Sequence, residues 1–340
     1  MWQTKGHNSA IGFIKHSIES NRLAHAYLIS GASYIGKTTF ALDIARVVNC
    51  LNVQKDHNPC EECSNCVRIS TRNHTDIHIL DFLNSKDSPI DQLREDFLAQ
   101  VYKKPYEGKY KIFIISHIDK MRSEHSNLLL KTLEEPPEDV IIILISENKS
   151  EILGTILSRC QILDLYPITD LDLLKNITAI SNASLSDNLD IELIIRLSRG
   201  RIGWIYRTIS DPDLFFDMQN LFDDMELAIR NPIEARLKFS NKLSNQFKAN
   251  SIDGFSDIDI MITWWRDMMM IMLDNEKSVI NINRLNTLKD LTTNFKLDQV
   301  ISIIKMFHSA KSYLNMNTNP LLVYDNLFIN IPLCHVSSHH

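Results

Sequence analysis

The sequence is poor in features that would assign it to several common classes. Only nine of its 340 residues are glycine, which disfavours barrels and sandwiches built from many tight turns. No uninterrupted apolar run reaches about 18 residues, so we expect no membrane span and no membrane partner. The first residues, Met1–Lys5, lack the apolar segment of a secretory signal. The missing signal, together with six cysteines that are more typical of a metal site than of disulfides, predicts a cytoplasmic protein.

The chain also lacks an excess of basic residues. It has 36 Lys and Arg against 42 Asp and Glu, a formal net charge of -6. Proteins that hold DNA unaided usually present a basic face. We therefore expect any role on nucleic acid to be shared with partner proteins.

Apolar periodicity predicts an α/β core followed by helices. Up to about residue 165, helical segments (8–20, 38–48, 90–101 and 123–133) alternate with short apolar strands (26–30, 77–81, 111–115, 140–145 and 161–165). This alternation is typical of a parallel sheet covered on both faces.

After Pro167 the pattern is helical, without a convincing strand. We predict three domains: an α/β core at 1–165, a small helical unit at 166–211 and a second helical domain at 212–340. The chain is long enough for each to bury a core.

A complete phosphate-loop pattern follows the first predicted strand. The stretch Gly31-Ala-Ser-Tyr-Ile-Gly36-Lys37-Thr38 fits G-x-x-x-x-G-K-[ST]. Its glycines let the backbone approach phosphate, Lys37 would reach the β and γ phosphates, and Thr38 would bind Mg²⁺. The alternative is a strand–turn–helix with a chance Gly-Lys-Thr. The candidate nucleotide-binding residues are Gly31, Gly36, Lys37, Thr38 and Thr39.

The acidic residues that hydrolysis needs are missing from their expected place. A parallel strand beside the loop should end in an Asp that holds Mg²⁺, often followed by a Glu that orients water. Here Ser116 and His117 occupy those two positions, and Asp119 comes three residues after Ser116. The sequence therefore predicts that ATP and Mg²⁺ can bind but that hydrolysis is lost.

Four cysteines follow the predicted helix after the loop. Cys50, Cys60, Cys63 and Cys66 fit C-x9-C-x2-C-x2-C, so residues 50–66 are predicted to form a metal module. Four thiolates suit structural Zn²⁺ with no open position for catalysis. An iron–sulfur cluster or four free thiols remain as alternatives.

A further candidate is Arg159, within Ser158-Arg159-Cys160. It is either a solvated surface charge or an arginine finger that reaches the nucleotide of a neighbouring subunit. The residues alone do not decide between the two.

These motifs together resemble a known family. The run His25-Ala-Tyr-Leu-Ile-Ser-Gly31, the loop, the four cysteines, Leu128-Leu-Leu-Lys-Thr-Leu-Glu-Glu-Pro-Pro137 and Ser158-Arg159-Cys160 resemble bacterial clamp-loader subunits of the AAA+ class. These are the gamma/tau and delta prime subunits of DNA polymerase III, and the strong matches cover about residues 20–166. The resemblance implies an AAA+ core with a zinc knuckle, a small helical lid and an all-α C-terminal collar.

Departures from the family pattern indicate which type of subunit the chain resembles. Motor subunits keep Asp-Glu where this chain has Ser116-His117, and a sensor arginine where it has Gly203. Both differences favour the delta prime type, a stator with at most weak ATPase activity. The intact loop departs from some delta prime members, whose loop is degraded. The alternative is an ATP-hydrolysing motor subunit of gamma/tau type, in which Asp119 or His117 replaces the missing acid.

The resemblance also implies partners and a role for Arg159. The partners would be the gamma/tau and delta subunits, with the sliding clamp and primer-template DNA reached through the complex. Arg159 would act in trans, as an arginine finger on ATP bound by a neighbouring subunit.

Overall fold

Five parallel strands form one sheet in the order β2-β3-β4-β1-β5. The structure, a computed structural model, describes residues 1–82, 93–121, 123–181, 190–249, 257–316 and 318–333. The strands are β1 (Ala26–Ser30), β2 (Ile77–Asp81), β3 (Lys111–Ser116), β4 (Val140–Ser146) and β5 (Gln161–Asp164). All neighbours run parallel. The predicted strands and the parallel sheet are thus confirmed.

The register brings the carboxyl ends of the strands to one edge of the sheet. Ser30 at the end of β1 pairs with Ser146 on β4 and with Asp164 on β5. Asp81 at the end of β2 pairs with Ser116 at the end of β3. Ligands of open parallel sheets bind at this edge, so it positions the candidate site.

Helices connect the strands of the core. They are α1 (Asn8–Glu19), α2 (Lys37–Asn49), α3 (Ser64–Ser70), α4 (Ala99–Val101), α5 (Ser123–Glu134) and α6 (Gly154–Leu157). A π-helix at Leu93–Leu98 leads into α4. The predicted helix 90–101 is therefore helical from residue 93, although its first part is wider than an α-helix, and residues 90–92 lie outside the described residues.

The sheet buries side chains on both faces, as the apolar runs predict. Every residue of β3 and β4 is buried. Ile112 and Ile114 pack on one face with α1 and α2 residues such as Phe40. Phe113 points to the other face and meets Phe97 edge-to-face, with ring centroids 4.9 Å apart. Alternate residues of one strand thus supply two cores.

The chain divides into two compact units, Met1–Asn182 with Arg199–Trp204, and Ala183–Ser198 with Ile205–His340. The predicted boundaries at 165/166 and 211/212 stay a prediction. The helices from residue 170 onward, in chain order, are α7 (Asp170–Ser181), α8 (Ile191–Ser198), α9 (Ile202–Ser210), α10 (Asp213–Arg230), α11 (Ile233–Ala249), α12 (Asp257–Met272), α13 (Leu285–Thr292), α14 (Leu297–Asn315) and α15 (Pro320–Ile329). The helical character predicted for this region is confirmed.

A buried arginine ties three helices of the second unit together. Arg236 is 2% exposed, and its guanidinium donates to carbonyl oxygens at the end of α10, in the last turn of α15 and after α15. Its acceptors are Ala228, Ile229, Phe328, Ile331 and Pro332. A buried carbonyl group without a hydrogen-bond partner lowers the free energy of unfolding. Arg236 therefore stabilises the second unit by satisfying several such groups at once.

Among the described helices, none combines the length and the apolar character needed to cross a membrane.

Candidate nucleotide and metal sites

The phosphate loop joins β1 to α2 with the backbone geometry that an anion site requires. Gly36 caps α2 at φ 101, in the left-handed region that favours glycine. No side chain caps the helix. Within the described part of the chain, the amides of Gly36, Lys37 and Thr38 have no hydrogen-bond acceptor, and the Ile35 amide only closes the turn over Ser33 and Tyr34. Open amides at the positive end of a helix are suited to phosphate.

Lys37 lies inside this loop and is held by it. Its ammonium donates to the carbonyl oxygens of Gly31 at 2.7 Å and Ala32 at 2.8 Å, and the residue is 8% exposed. Burial lowers the pKa of Lys37 to about 8, while the carboxylates of Glu147 and Asp119 oppose the shift. Phosphate oxygens would satisfy the same donors and favour the charged lysine.

The first glycine of the pattern is required by a close approach. A Cβ on Gly31 would lie 2.6 Å from the carbonyl oxygen of Leu165. Thr38 and Thr39 lie in the first turn of α2, and their contacts with Mg²⁺ and nucleotide stay predictions.

Tyr34, an unusual residue for such a loop, contacts Gly203. Tyr34 has φ 60, and its carbonyl oxygen accepts a hydrogen bond from the Gly203 N–H at 2.8 Å. Position 203 thus lies beside the loop and contacts it through backbone atoms. A second residue here, Arg201, was not predicted. Beside the larger effect of burial, its positive charge further lowers the pKa of Lys37.

The two positions where acids were expected carry no carboxylate. Ser116 is buried at the end of β3. His117 follows with φ 58, and its Nδ1 lies 2.8 Å from the Asp81 carboxylate at the end of β2. The carboxylate at the end of β2, the strand paired with β3, is therefore engaged with His117, which stands where a glutamate was expected.

Two other carboxylates lie close to the loop. Asp119, in a short turn after β3, accepts a hydrogen bond from the backbone of Glu147 at 3.2 Å. The Glu147 carboxylate accepts one from the hydroxyl of Ser33 at 2.5 Å. Sequence reasoning singled out Asp119 but missed Asp81 and Glu147. Their positions at the carboxyl ends of β2 and β4 are the signal that would have found them.

The four cysteines converge as predicted. Their Sγ atoms all lie within 4.8 Å of one another, and those of Cys60 and Cys66 are 4.0 Å apart. Four sulfurs at Zn–S distances of about 2.3 Å stand roughly 3.8 Å apart in a regular tetrahedron. The donor set and its spacing therefore fit a four-coordinate metal such as Zn²⁺.

Backbone amides favour thiolates in this cluster. The amides of Cys60, Cys63 and Cys66 each donate to the preceding cysteine sulfur at 3.4 Å. The amide of Cys63 is the main cause that lowers the pKa of Cys60 to about 6. Burial raises the pKa of Cys50 and of Cys66. A bound cation would displace these protons, since thiolates are the metal ligands.

The cysteine module is fastened to α2, the helix that begins at the phosphate loop. The Asn65 side chain donates to the carbonyl oxygen of Asn49 at 2.9 Å. Arg46 is 1% exposed, is paired with Asp43 and lies 3.9 Å from the Glu61 carboxylate. The metal module and the loop are thus built on opposite ends of one helix.

Arg159 lies on the turn between α6 and β5. Its guanidinium contacts the Glu134 carboxylate at 2.8 Å and the carbonyl oxygen of Thr155 at 2.9 Å, and 34% of its side chain is exposed. Its contacts lie at the end of α5 and on α6 and not in the phosphate loop. This geometry leaves part of the guanidinium open at the surface.

Known proteins match the first unit. The family described as "DNA polymerase III, delta subunit" matches residues 6–169. DNA polymerase III subunit delta' of Bacillus subtilis is 43% identical over 155 residues, which cover 45% of this chain and 45% of that protein. Residues 6–169 of the chain are therefore similar to clamp-loader subunits of DNA polymerase III.

Other clamp-loader relatives match more of the chain at lower identity. DNA polymerase III subunit gamma of Buchnera aphidicola is 32% identical over 198 residues, covering 56% of this chain and 52% of that protein. The chain therefore spans about half the length of these curated relatives. A gamma subunit-related protein of Thermotoga maritima is a structural neighbour at 17% identity and TM-score 0.40, covering 94% of this chain and 97% of that one.

Proposed function

We propose that the chain is the delta prime-type stator subunit of a bacterial DNA polymerase III clamp loader. One observation carries the proposal: a complete phosphate loop faces a strand end that has Ser116 and His117 in place of acids. The match to a delta' relative at 43% identity supports it. The subunit would take part in loading the sliding clamp without hydrolysing ATP itself.

Nucleotide binding without turnover is consistent with this geometry. The open amides and Lys37 supply charge for a polyphosphate and leave Gly31, Gly36, Thr38 and Thr39 to shape the loop. Hydrolysis also requires a carboxylate that holds Mg²⁺ and a group that orients water. Ser116 can coordinate Mg²⁺ only weakly, and His117 is occupied by Asp81.

Arg159 would serve a neighbouring subunit. Its guanidinium is partly exposed and is held by Glu134 through a surface contact that costs little to exchange. In the complex it would leave that carboxylate and stabilise charge on ATP bound by an adjacent gamma/tau subunit. The reaction would thus occur outside this chain.

The remaining partners follow from this assignment. The chain would assemble with gamma/tau and delta subunits and meet the sliding clamp and primer-template DNA through the complex. A formal charge of -6 is consistent with DNA contacts that are shared. Zn²⁺ on Cys50, Cys60, Cys63 and Cys66 would be structural, since four thiolates leave no position for a substrate.

A motor subunit of gamma/tau type is the second candidate. Asp119 and Glu147 both act electrostatically on Lys37, so two carboxylates are near the loop even though neither occupies the expected position. If one of them held Mg²⁺, the chain could hydrolyse ATP.

Steady-state ATP turnover of the purified chain separates the two candidates. The stator proposal predicts turnover at background level, identical in wild type and in a Lys37→Ala variant. Turnover that Lys37→Ala abolishes would overturn it in favour of the motor subunit. An Asp119→Asn variant then identifies the carboxylate responsible.

A further inference from the structure

We propose that Gly203 and His7 brace the phosphate loop from outside and aim two of its amides at the nucleotide. The inference rests on the proposed binding of nucleotide and names the residues that position its polyphosphate. Neither residue belongs to the phosphate-loop pattern. Each holds one carbonyl oxygen of the loop.

The first brace is a backbone contact. The Gly203 N–H donates to the carbonyl oxygen of Tyr34 at 2.8 Å. No peptide bond described in the chain is cis, and in a planar trans peptide the C=O and N–H point in opposite directions. The Ile35 N–H, which shares this peptide unit, therefore points away from Gly203. The contact is so close that a Cβ at position 203 would lie 2.7 Å from the Tyr34 oxygen.

The second brace is a buried histidine. His7 Nε2 lies 3.0 Å from the carbonyl oxygen of Ile35, and His7 is 6% exposed. A carbonyl oxygen only accepts, so Nε2 must carry the proton. Burial lowers the pKa of His7, which is consistent with a neutral donor. By the same peptide geometry, the Gly36 N–H points away from His7.

His7 is held in place by its own segment of chain. Three residues earlier, the backbone and hydroxyl of Thr4 each donate to the Asp43 carboxylate at 2.7 Å. Trp2 packs against Phe40 with ring centroids 5.9 Å apart. Both partners lie on α2, so the brace is anchored to the helix whose first turn it serves.

The two aimed amides are available for a ligand. Within the described residues, the Gly36 N–H has no acceptor, and the Ile35 N–H makes only the turn contact over Ser33 and Tyr34, which falls short of a full hydrogen bond. A flip of either peptide would turn a carbonyl oxygen to the phosphate side in place of an N–H. Donors fixed in advance bind an anion better, because no ordering cost remains at the moment of binding.

The test compares nucleotide affinity and loop protection. Mg²⁺ with a fluorescent ATP analogue is titrated into wild type, Gly203→Ala and His7→Leu. Without nucleotide, amide hydrogen exchange is measured at Phe40, whose N–H donates to the carbonyl oxygen of Gly36 at 2.9 Å. We expect about tenfold weaker binding in each variant and faster exchange at Phe40. Gly12→Ala is the matched control, because a Cβ there meets nothing within 4 Å. His7→Gln keeps an N–H donor and should restore most of the affinity.

The outcomes separate the brace from the proposed function. Wild-type affinity and exchange in both Gly203→Ala and His7→Leu would overturn the inference. Equal losses in His7→Gln and His7→Leu would also overturn it, since a packing role alone gives that result. If wild type binds no nucleotide while both variants still loosen the loop, the bracing stands. The proposed nucleotide binding, and the proposed orientation of the two amides toward nucleotide, are then overturned.

Discussion

The ammonium of Lys37 lies 2.7 Å from the carbonyl oxygen of Gly31, six residues earlier in the same loop. The loop's own carbonyl oxygens thus accept hydrogen bonds from Lys37, the residue that the phosphate-loop pattern predicts to bind phosphate. A polyphosphate would compete for that ammonium with neutral carbonyl oxygens, and a charged acceptor makes the stronger hydrogen bond. The proposed affinity for nucleotide would therefore depend on the charge state of Lys37.

Nucleotide binding should weaken as the pH rises above 8. Burial lowers the pKa of Lys37 to about 8 from 10.5, so the lysine loses its charge above that pH. Binding a polyanion requires the charged form. We expect about tenfold weaker binding of Mg²⁺ and ATP at pH 9 than at pH 7, measured by isothermal titration. Lys37→Met should bind weakly at both values; an unchanged wild-type affinity at pH 9 would contradict the assignment of Lys37.

The lowered pKa of Lys37 should make the folded chain more stable as the pH rises, whereas it should make nucleotide binding weaker. Between pH 8 and 10.5 the unfolded chain keeps a proton on Lys37 that the folded chain has lost. The unfolded state then binds more protons, so the contribution of Lys37 to stability rises with pH across this window. The difference in free energy of unfolding between wild type and Lys37→Met should move in favour of wild type from pH 8 to 10. No change in this difference would contradict the lowered pKa.

Removal of one cysteine of the cluster should release the metal and destabilise the first unit. Cys63→Ser loses a ligand whose sulfur also accepts a hydrogen bond from the amide of Cys66. We expect one zinc per wild-type chain by elemental analysis, a large loss in the variant and a lower melting temperature. Cys160→Ser is the control, because Cys160 lies outside the cluster. Iron in place of zinc, or no metal after native purification, would overturn the zinc assignment.

Replacement of Arg236 should strongly lower the free energy of unfolding of the second unit. Arg236→Met leaves several buried carbonyl oxygens without a donor, and we expect a loss of roughly 2–4 kcal/mol in the free energy of unfolding. Arg230→Met is the matched control. Its ion pairs with Glu226 and Asp290 are partly exposed and should contribute about 1 kcal/mol or less. Similar losses in urea unfolding for the two variants would contradict this account.

The elements of the core could be predicted because several signals agree there. The apolar runs at β3 and β4 are buried throughout, and the loop pattern fixes where α2 begins. The cysteine spacing predicted that the four sulfurs converge, because short separations in the sequence keep them close.

The rest depends on contacts that spacing does not encode. His7 and Ile35 are separated by 28 residues, and His117 and Asp81 by 36. Gly203 meets Tyr34 through backbone atoms, which leave no side-chain signature. Arg201 and Glu147 act on Lys37 from different segments of the chain. The sequence therefore predicted the phosphate loop and the four-cysteine cluster, but it did not predict the residues that contact the loop from distant segments of the chain.

ATP turnover by a reconstituted clamp loader that contains an Arg159→Ala variant of this subunit tests the central claim most directly. Glu134→Gln is the matched control, because it releases Arg159 from its carboxylate partner and keeps the guanidinium. The account predicts intact assembly in both, turnover within a few-fold of wild type for Glu134→Gln, and a fall of about 10³-fold at the adjacent site for Arg159→Ala. Unchanged turnover in an assembled Arg159→Ala complex would contradict it.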